Sequence, residues 1–291
     1  QLLDRAEKLL HGSRDHLLWL QVLLQLSTVR RSLGDLDKAW SDLTRAQREA
    51  AEHGHRAEQS EALALMADVL CLKEQFEEGV ALGKQALSIR RELGDRHGEG
   101  RVLSGLGLLY DGMGMFDEAL AHFEPALVIA RETGNRYQMG QLYNNMGKLY
   151  SSHDHRAESM AHYKMALSVH RETGNRFTEG QTLGNMGHLF SKSGQYPEAY
   201  EHFERALVIH RETGNRKSEG VVLENLAILR CYQGRLEEAL ALFTQALTLY
   251  RQLGLRAREG QNLSNLGLLN TQKGNIEEAR VYYEQALAIH R

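Results

Sequence analysis

Apolar residues recur at helical spacing along most of this chain, and the stretch 136–174 shows the pattern most clearly. Between residues 136 and 152 they fall on one side of a helix, and the set is Leu142, Tyr143, Met146, Leu149 and Tyr150. A polar break at 153–155 follows, and helical spacing returns from 157 to 172. The pattern therefore predicts a pair of helices, 136–152 and 157–172, joined by a short turn.

A turn motif repeats at a spacing of forty residues. Gly134-Asn135-Arg136 returns as Gly174-Asn175-Arg176 and as Gly214-Asn215-Arg216, and related sequences stand at 54–56, 94–96 and 254–256. Glycine can close one helix in the left-handed conformation, and asparagine can cap the first turn of the next. A fixed period of roughly 20–50 residues is typical of an array in which each repeat packs on its neighbours.

Aligned on this period, the chain shows columns of small and aromatic residues. A small residue stands inside each first helix, at Gly107, Gly147, Gly187, Ala227 and Gly267. An aromatic residue stands in each second helix, at Phe123, Tyr163, Phe203, Phe243 and Tyr283. One alanine column is complete, at Ala46, Ala86, Ala126, Ala166, Ala206, Ala246 and Ala286. A further glycine column indicates that the preceding helix packs closely there, at Gly100, Gly140, Gly180, Gly220 and Gly260.

This order of small, aromatic and alanine positions resembles the tetratricopeptide repeat, a helix-turn-helix unit. The resemblance covers essentially the whole chain. The repeats are longer than the usual form of about thirty-four residues, and the Gly-Asn-Arg turn stands where a proline is usual. The longer form is similar to the repeats of the Pins/LGN spindle-orientation scaffolds, of kinesin light chains and of bacterial multi-repeat signalling proteins. The resemblance implies an all-α fold, a right-handed superhelical solenoid of helix pairs.

The columns divide the chain into seven units within one continuous solenoid over 1–291. We expect two degenerate units over 15–94 and five well-formed units over 95–291. Residues 1–14 are expected to be the second helix of a truncated preceding repeat. Because solenoids normally need polar capping helices, and none follows the last unit, we expect the chain to be part of a longer protein.

Bulk composition restricts the possible partners and the compartment. The net charge of −3 gives no basic stripe of the kind that nucleic-acid-binding proteins carry. No segment approaches the roughly 20 apolar residues that a membrane helix needs. Cys71 and Cys231 stand at the same place in repeats four units apart, too far for a disulfide. We therefore expect a protein of the cytoplasm, with reduced thiols.

The first helices also carry a polar stripe. Residues three or four apart share one side of a helix, so Gln141, Asn145 and Lys148 lie together. Across the aligned units the asparagines form a column, Asn145, Asn185, Asn225 and Asn265. Beside it runs a glutamine row of Gln141, Gln181 and Gln261, which Arg101 and Val221 interrupt, and behind it stand Lys148 and His188.

In tetratricopeptide arrays this stripe lines the concave surface, and in the Pins/LGN scaffolds the asparagines at this position bind a peptide. The resemblance therefore implies that the asparagine column, the glutamine row, Arg101, Lys148 and His188 bind an extended segment of a partner. An amide supports this function because it both donates and accepts hydrogen bonds. The asparagines could instead only satisfy neighbouring helices or face solvent. A carboxylate clamp is less favoured, because Arg101 and Lys148 are the only clear cations of the groove.

The other recurring polar residues favour structural roles. The arginine column is followed three residues later by glutamates such as Glu99 and Glu179, a spacing that permits ion pairs. His162 and His202 stand in adjacent repeats, about 10 Å apart by helix packing, and cannot share a zinc ion whose ligands lie about 2 Å away. Catalytic and phosphate-binding motifs are absent from the sequence. We expect no enzyme activity, no cofactor and no metal.

Three hypotheses for function remain open. The favoured one is a non-enzymatic scaffold or adaptor that binds a protein or peptide partner in its concave groove, with no role for nucleic acid or membrane. The second is a sensor or regulatory segment of a larger signalling ATPase, kinase or transcriptional regulator, with an effector domain of the same chain as the partner. The third is a self-assembling array.

Overall fold

The computed structural model describes residues 16–290, which form fourteen α-helices and no strand within that range. In chain order they are α1 (His16–Ser32), α2 (Leu36–Glu52), α3 (Arg56–Leu72), α4 (Phe76–Glu92), α5 (Arg96–Gly112), α6 (Phe116–Glu132), α7 (Arg136–Ser152), α8 (Arg156–Glu172), α9 (Arg176–Lys192), α10 (Tyr196–Glu212), α11 (Arg216–Tyr232), α12 (Leu236–Gln252), α13 (Arg256–Lys273) and α14 (Ile276–His290). The helix expected over 1–14 lies outside the described residues.

The predicted helix pair is confirmed, with α7 at Arg136–Ser152 and α8 beginning one residue earlier than expected, at Arg156. The repeated turn acts as its residues suggest. Gly174 has a φ of 66°, in the left-handed region, and the Asn175 side chain caps α9 by accepting the Thr178 N–H at 3.3 Å. Asn215 caps α11 in the same way, through the Ser218 N–H at 3.2 Å.

The chain forms two compact units, which divide within α7 between Leu149 and Tyr150. In the first unit α1 to α6 pack as successive helices, and α3 also touches α1 and α5. In the second unit α8 to α14 pack as successive helices, with a further contact between α9 and α11. The division of the sequence into two degenerate and five well-formed repeats stays a prediction.

In several helix pairs an aromatic ring of the second helix packs against a small residue of the first. A Cβ atom on Gly187 would lie 2.8 Å from Cδ1 of Phe203, and one on Gly107 would lie 2.5 Å from the Phe123 ring. Phe203 and Phe123 are fully buried. The complete alanine column is buried from Ala46 to Ala286. The small and alanine columns therefore mark the packing surfaces, as the sequence predicts.

The interpretation of the second glycine column was wrong in one respect. The residues that approach it belong to the helix that follows, not to the one before. A Cβ on Gly180 of α9 would lie 2.9 Å from Ile209 and 2.8 Å from His210, both on α10, and one on Gly220 of α11 would lie 2.7 Å from Tyr250 on α12. In these two pairs, bulky side chains in the last turn of the second helix thus pack over the start of the first helix.

Two turns adopt the left-handed conformation without glycine. Glu74 has a φ of 59° and Asp154 a φ of 64°, where a Cβ atom crowds the following carbonyl. Eleven glycines hold positive φ in the described chain, among them Gly34, Gly114, Gly194 and Gly234. The backbone of the turn is therefore maintained even where the sequence lacks the residue that suits it.

Candidate functional site

Three first helices of the second unit carry the asparagine column in the same place. Asn185 lies on α9, Asn225 on α11 and Asn265 on α13, and all three are half-buried. Gln181 and Gln261 are exposed one turn earlier. We call these five side chains the amide face. Its members place amide groups at the surface of the unit, between residues that are buried in the core.

The first unit carries the corresponding polar residues on α7. Gln141 and Asn145 are half-buried and Lys148 is exposed. The Gln141 side chain donates from Nε2 to the hydroxyl of exposed Tyr137 at 2.9 Å. This glutamine is thereby held against its own helix, and Lys148 is exposed beside Asn145.

Arg101 is held by acidic residues of the first unit. Its Nη2 donates to both carboxylate oxygens of Glu61, and Glu61 also accepts from Arg90 Nη2 at 2.8 Å. Two turns along α3, Asp68 pairs with Arg31. Burial raises the pKa of this carboxyl against the opposing effect of Arg31. The charge of Arg101 is therefore compensated within the protein, which further weakens the carboxylate-clamp hypothesis.

His188 is exposed on α9 beside Asn185. Partial desolvation lowers the pKa of its imidazole, and the neighbouring Lys192 ammonium lowers it further. Since the ordinary value is 6.5, the ring is neutral at pH 7. The His188 side chain therefore carries a neutral hydrogen-bonding group at the surface rather than a positive charge.

A buried carboxylate that the sequence did not single out fixes one end of the amide face. Glu224 on α11 is 5% exposed. Its Oε2 accepts the Tyr250 hydroxyl at 2.5 Å, and its Oε1 accepts from Asn265 Nδ2 at 3.4 Å. Burial, with the neighbouring Glu224 carboxylate, raises the pKa of Tyr250. The hydroxyl therefore keeps its proton and donates it.

The polar stripe ends in apolar residues on α11 and α13. Ile228 and exposed Leu268 stand at the positions that Lys148 and His188 occupy in the preceding repeats. Together with Tyr232 they border a small pocket next to Asn265. The sequence did contain a signal for this pocket, because Ile228 and Leu268 are consecutive apolar members of this column, each three residues after an asparagine.

The recurring histidines pack against aromatic rings. The rings of Tyr150 and His162 lie 5.0 Å apart between centroids, and those of Phe190 and His202 also 5.0 Å. Within residues 16–290 no group of three or more His, Cys, Asp or Glu side chains could hold a metal ion. These histidines are therefore part of the helix-pair packing, a role that the sequence analysis did not predict.

The arginine and glutamate columns form ion pairs as expected, and the network is larger than the sequence predicts. Glu179 accepts from Arg176 Nη1 at 2.6 Å and from Arg171 Nε at 2.9 Å. Arg176 also pairs with Glu212 through Nη2 at 2.7 Å. Corresponding double pairs surround three other glutamates, Glu99, Glu219 and Glu259. Each glutamate thus connects the end of one helix pair to the start of the next.

A sequence model of the tetratricopeptide repeat matches residues 58–132, 112–172, 178–252 and 218–291. The matches cover most of the chain and agree with its paired helices, its ring-on-glycine packing and its repeated turns. The chain belongs to the tetratricopeptide-repeat family. Its fold is the all-α solenoid of helix pairs that the sequence predicts. No curated protein sequence matches this tetratricopeptide-repeat protein.

Solved structures resemble this tetratricopeptide-repeat protein at low sequence identity. A Rap protein complexed with Competence and Sporulation Factor has a TM-score of 0.74 and 18% identity, over 99% of this chain and 79% of that one. The Rap conjugation gene regulator of plasmid pLS20, in complex with the Phr* peptide, has a TM-score of 0.64 and 19% identity, over 96% and 75%. These similarities establish the fold.

A third structure that resembles the tetratricopeptide-repeat protein belongs to a larger molecule. It is a signal transduction ATPase with numerous domains from Pyrococcus horikoshii, which has a tetratricopeptide repeat sensor. The TM-score is 0.73 and the identity 16%, over 96% of this chain but 43% of that one. In the described part of the present chain, no helix has the length and apolar character that crossing a membrane requires.

Proposed function

We propose that this chain is a non-enzymatic interaction module that binds a peptide segment of a partner protein along the amide face. The observation that carries the proposal is the placement of Asn185, Asn225 and Asn265, half-buried at one register of three first helices. Each amide has a donor and an acceptor, as does each peptide unit of an extended ligand. The module is proposed to act in the cytoplasm, consistent with the free thiols of Cys71 and Cys231.

A nearby asparagine shows how a purely structural amide looks in this protein. Asn270 on α13 is 4% exposed and donates from Nδ2 to the Leu266 carbonyl at 2.9 Å, within its own helix. The asparagine column differs because its members are accessible and recur from one helix pair to the next. Asparagine is a poor residue for helix interiors, so its recurrence at an accessible site supports ligand contact over a role in helix stability.

The structural comparisons support the same function without identifying a partner. The Rap structures described above were solved as complexes with Competence and Sporulation Factor and with the Phr* peptide. Both align with most of the present chain. The fold of this chain is therefore compatible with a peptide ligand, and the amide face supplies suitable groups.

The double variant Asn185→Ala/Asn225→Ala tests the proposal. Peptides would be selected from a displayed random library on the intact chain, and their affinity for the variant measured by calorimetry. We expect a loss of about tenfold or more, because each net hydrogen bond contributes about 0.5–1.5 kcal/mol. Helicity and melting temperature should stay close to those of the unchanged protein.

The matched control is Gln85→Ala/Gln245→Ala, which removes two exposed amides from the second helices α4 and α12. It should leave peptide affinity unchanged. Early unfolding of the asparagine variant would make these residues structural. Equal affinity of both double variants would place the ligand elsewhere.

A sensor segment of a larger signalling protein is the second candidate. It is favoured by the similarity to the Pyrococcus horikoshii ATPase, of which a matching array forms less than half. In that case the amide face would bind a regulatory ligand or an effector domain of the same polypeptide. Sequencing the complete gene tests this: a nucleotide-binding or effector domain in the same reading frame supports it, and its absence excludes it.

A further inference from the structure

A small apolar pocket lies at one end of the amide face, within the second unit. It has a volume of about 160 Å³ and lies between α11, α12 and α13. Its lining consists of Ile228, Cys231, Tyr232, Phe243, Asn265, Leu268, Leu269 and Gln272. None of these side chains is charged, and Asn265 is both a wall of the pocket and a member of the amide face.

The pocket has a fixed floor and an accessible rim. Phe243 and Leu269 are 2% and 1% exposed, as parts of the core. At the rim Leu268 is 54% exposed and Tyr232 65%. The Tyr232 ring stacks on Tyr196, with centroids 5.4 Å apart and planes at 17°, so it is held in place. Covering these rim residues with an apolar group would remove apolar surface from water.

The hydrogen bonds of Asn265 determine what this amide offers to a ligand. A carboxylate can only accept hydrogen bonds, so the bond to Glu224 turns Nδ2 of Asn265 toward it. Glu224 is held in turn by the Tyr250 hydroxyl. Asn265 therefore presents its oxygen, Oδ1, to a ligand. This oxygen can accept a hydrogen bond from a donor such as a main-chain N–H.

We propose that this pocket is the anchor subsite of the peptide-binding surface, a proposal that rests on the function proposed above. It takes one phenyl-sized apolar side chain of the bound segment, while Asn265 Oδ1 accepts a main-chain N–H beside that side chain. The size fits, because an apolar protein cavity of about 150 Å³ is known to hold benzene. The uncharged lining excludes Lys, Arg, Asp and Glu at this position of the ligand, because a buried charge needs a partner.

The remainder of the stripe supports placing the anchor here. In the first unit Asp68, paired to Arg31, and Arg101, paired to Glu61, carry charges at the corresponding positions. Leu108 is apolar, but Gly105 stands there in place of an asparagine of the column. On α9 they carry neutral His188 and Gln181. Only α11 and α13, within the described chain, combine an apolar residue at the His188 position with an asparagine of the column. A ligand with one large apolar side chain is therefore positioned by this end of the amide face.

Two minimal probes test the subsite on the intact chain: N-acetyl-phenylalanine N-methylamide and its alanine counterpart. Both offer the same main-chain groups, and they differ in the side chain alone. Binding is followed by NMR through the methyl signals of Leu268 and the side-chain amide of Asn265. We expect the phenylalanine probe to bind about tenfold or more tightly than the alanine probe, from burial of its ring.

The variant Leu268→Gln should weaken the phenylalanine probe about fivefold, since an exposed rim residue is changed and the floor is not. The matched control is Leu72→Gln, which changes a leucine of 58% exposure on α3 in the first unit. It should leave the affinity within about twofold. Circular dichroism confirms that both variants keep their helices.

Equal binding of the two probes, or unchanged binding to Leu268→Gln, would overturn the anchor subsite. Peptides selected from the displayed library separate this failure from failure of the proposed function. If they bind through Asn185 and Asn225 but tolerate Leu268→Gln, the peptide-binding function stands and the anchor is wrong. If Leu268→Gln weakens the binding of phenylalanine-containing peptides and leaves that of their alanine variants unchanged, the anchor is confirmed.

Discussion

Glycine at position 187 leaves the space that the Phe203 ring occupies. A Cβ atom there would lie 2.8 to 3.1 Å from three ring carbons, closer than such atoms normally approach. Alanine is tolerated at the corresponding Ala227, which packs with Phe243. The ring of the second helix therefore restricts the side chain at this position to a small one.

Replacing Gly187 with Leu should lower the free energy of unfolding by about 1–3 kcal/mol, because the helix pair becomes overpacked. Gly184 is the control. A Cβ there would approach only Val222, at 4.0 Å, so Gly184→Ala should raise stability by up to about 1 kcal/mol through helix propensity. Urea unfolding followed by circular dichroism measures both. Equal effects of the two substitutions would contradict the ring-on-glycine packing.

Glu74 occupies a backbone conformation that costs an ordinary residue about 1–2 kcal/mol. Glu74→Gly should therefore raise the free energy of unfolding by about 1 kcal/mol, even though it removes a charged surface residue. Glu77→Gly, three residues later in the first turn of α4, should lower it by about 1 kcal/mol. Melting temperatures of the two variants must move in opposite directions if the left-handed turn is the cause.

The sequence alone specified some residue roles and not others. Small residues and aromatic residues each recur every forty residues, at a constant separation along the chain. This pattern predicts that the two pack closely against each other. The pairing of Arg101 with Glu61 and of Asn265 with Glu224 was not predicted. Each joins consecutive first helices and depends on a glutamate that occurs at its position in one repeat only, and such a unique partner leaves no periodic signal.

At the scale of helices, a glutamate near the start of each of the four helices α5, α9, α11 and α13 joins that helix to the end of the preceding one. Glu179 is almost completely buried and takes hydrogen bonds from Arg171 on α8 and Arg176 on α9. Burial alone would raise the pKa of Glu179, but the two arginines outweigh it and lower the pKa below its ordinary 4.5. The charged form is therefore the one that stabilises the junction of α8 and α9.

A folded pKa below the unfolded value contributes stability above about pH 4.5, and this contribution is lost as the pH falls through the folded pKa. Glu179→Gln should accordingly cost about 1–2 kcal/mol at pH 7, less than a fully buried pair because both arginines are half-exposed. The difference between variant and unchanged protein should shrink as the pH is lowered below about 4. Urea midpoints across this range measure it, and a difference independent of pH would contradict the charge network.

Helix bounds were the most predictable feature at this scale. Glycine, capping asparagine and helical spacing all agree at each turn, so α7 was placed at both ends from sequence. The side from which the second glycine column is packed was misjudged. Spacing along a helix identifies a face, but it does not say which neighbouring helix covers that face.

For the whole molecule, burial is uneven among the described helices. On α12 the residues Phe243, Leu247 and Tyr250 are buried. On α14, by contrast, Val281 is 51% exposed, Tyr283 42% and Leu287 52%. The stability of a repeat array is approximately the sum of the stabilities of its repeats and of the interfaces between neighbouring repeats. A helix with little buried apolar surface therefore has a low free energy of local unfolding.

Native-state hydrogen exchange should therefore show α14 amides exchanging about tenfold or more faster than those of α12. Amides in the interior of α12 provide the internal reference, since both helices are measured in the same sample. The same experiment should leave α10 as protected as α12, because Phe203 and Phe243 are buried to the same degree. Equal protection of α12 and α14 would mean that the last pair opens only together with its neighbours.

Within each unit, the described packing joins helices no more than two places apart along the chain. Each described helix therefore depends, within its unit, on helices that are close to it along the chain. If forty residues were inserted or deleted between two Gly-Asn-Arg turns, the helices on both sides of the junction would again lie next to helices of the same kind. Gene duplication and deletion can thus add or remove one asparagine of the column at a time, so the number of asparagines on the amide face is an evolutionary variable rather than a fixed property of the fold.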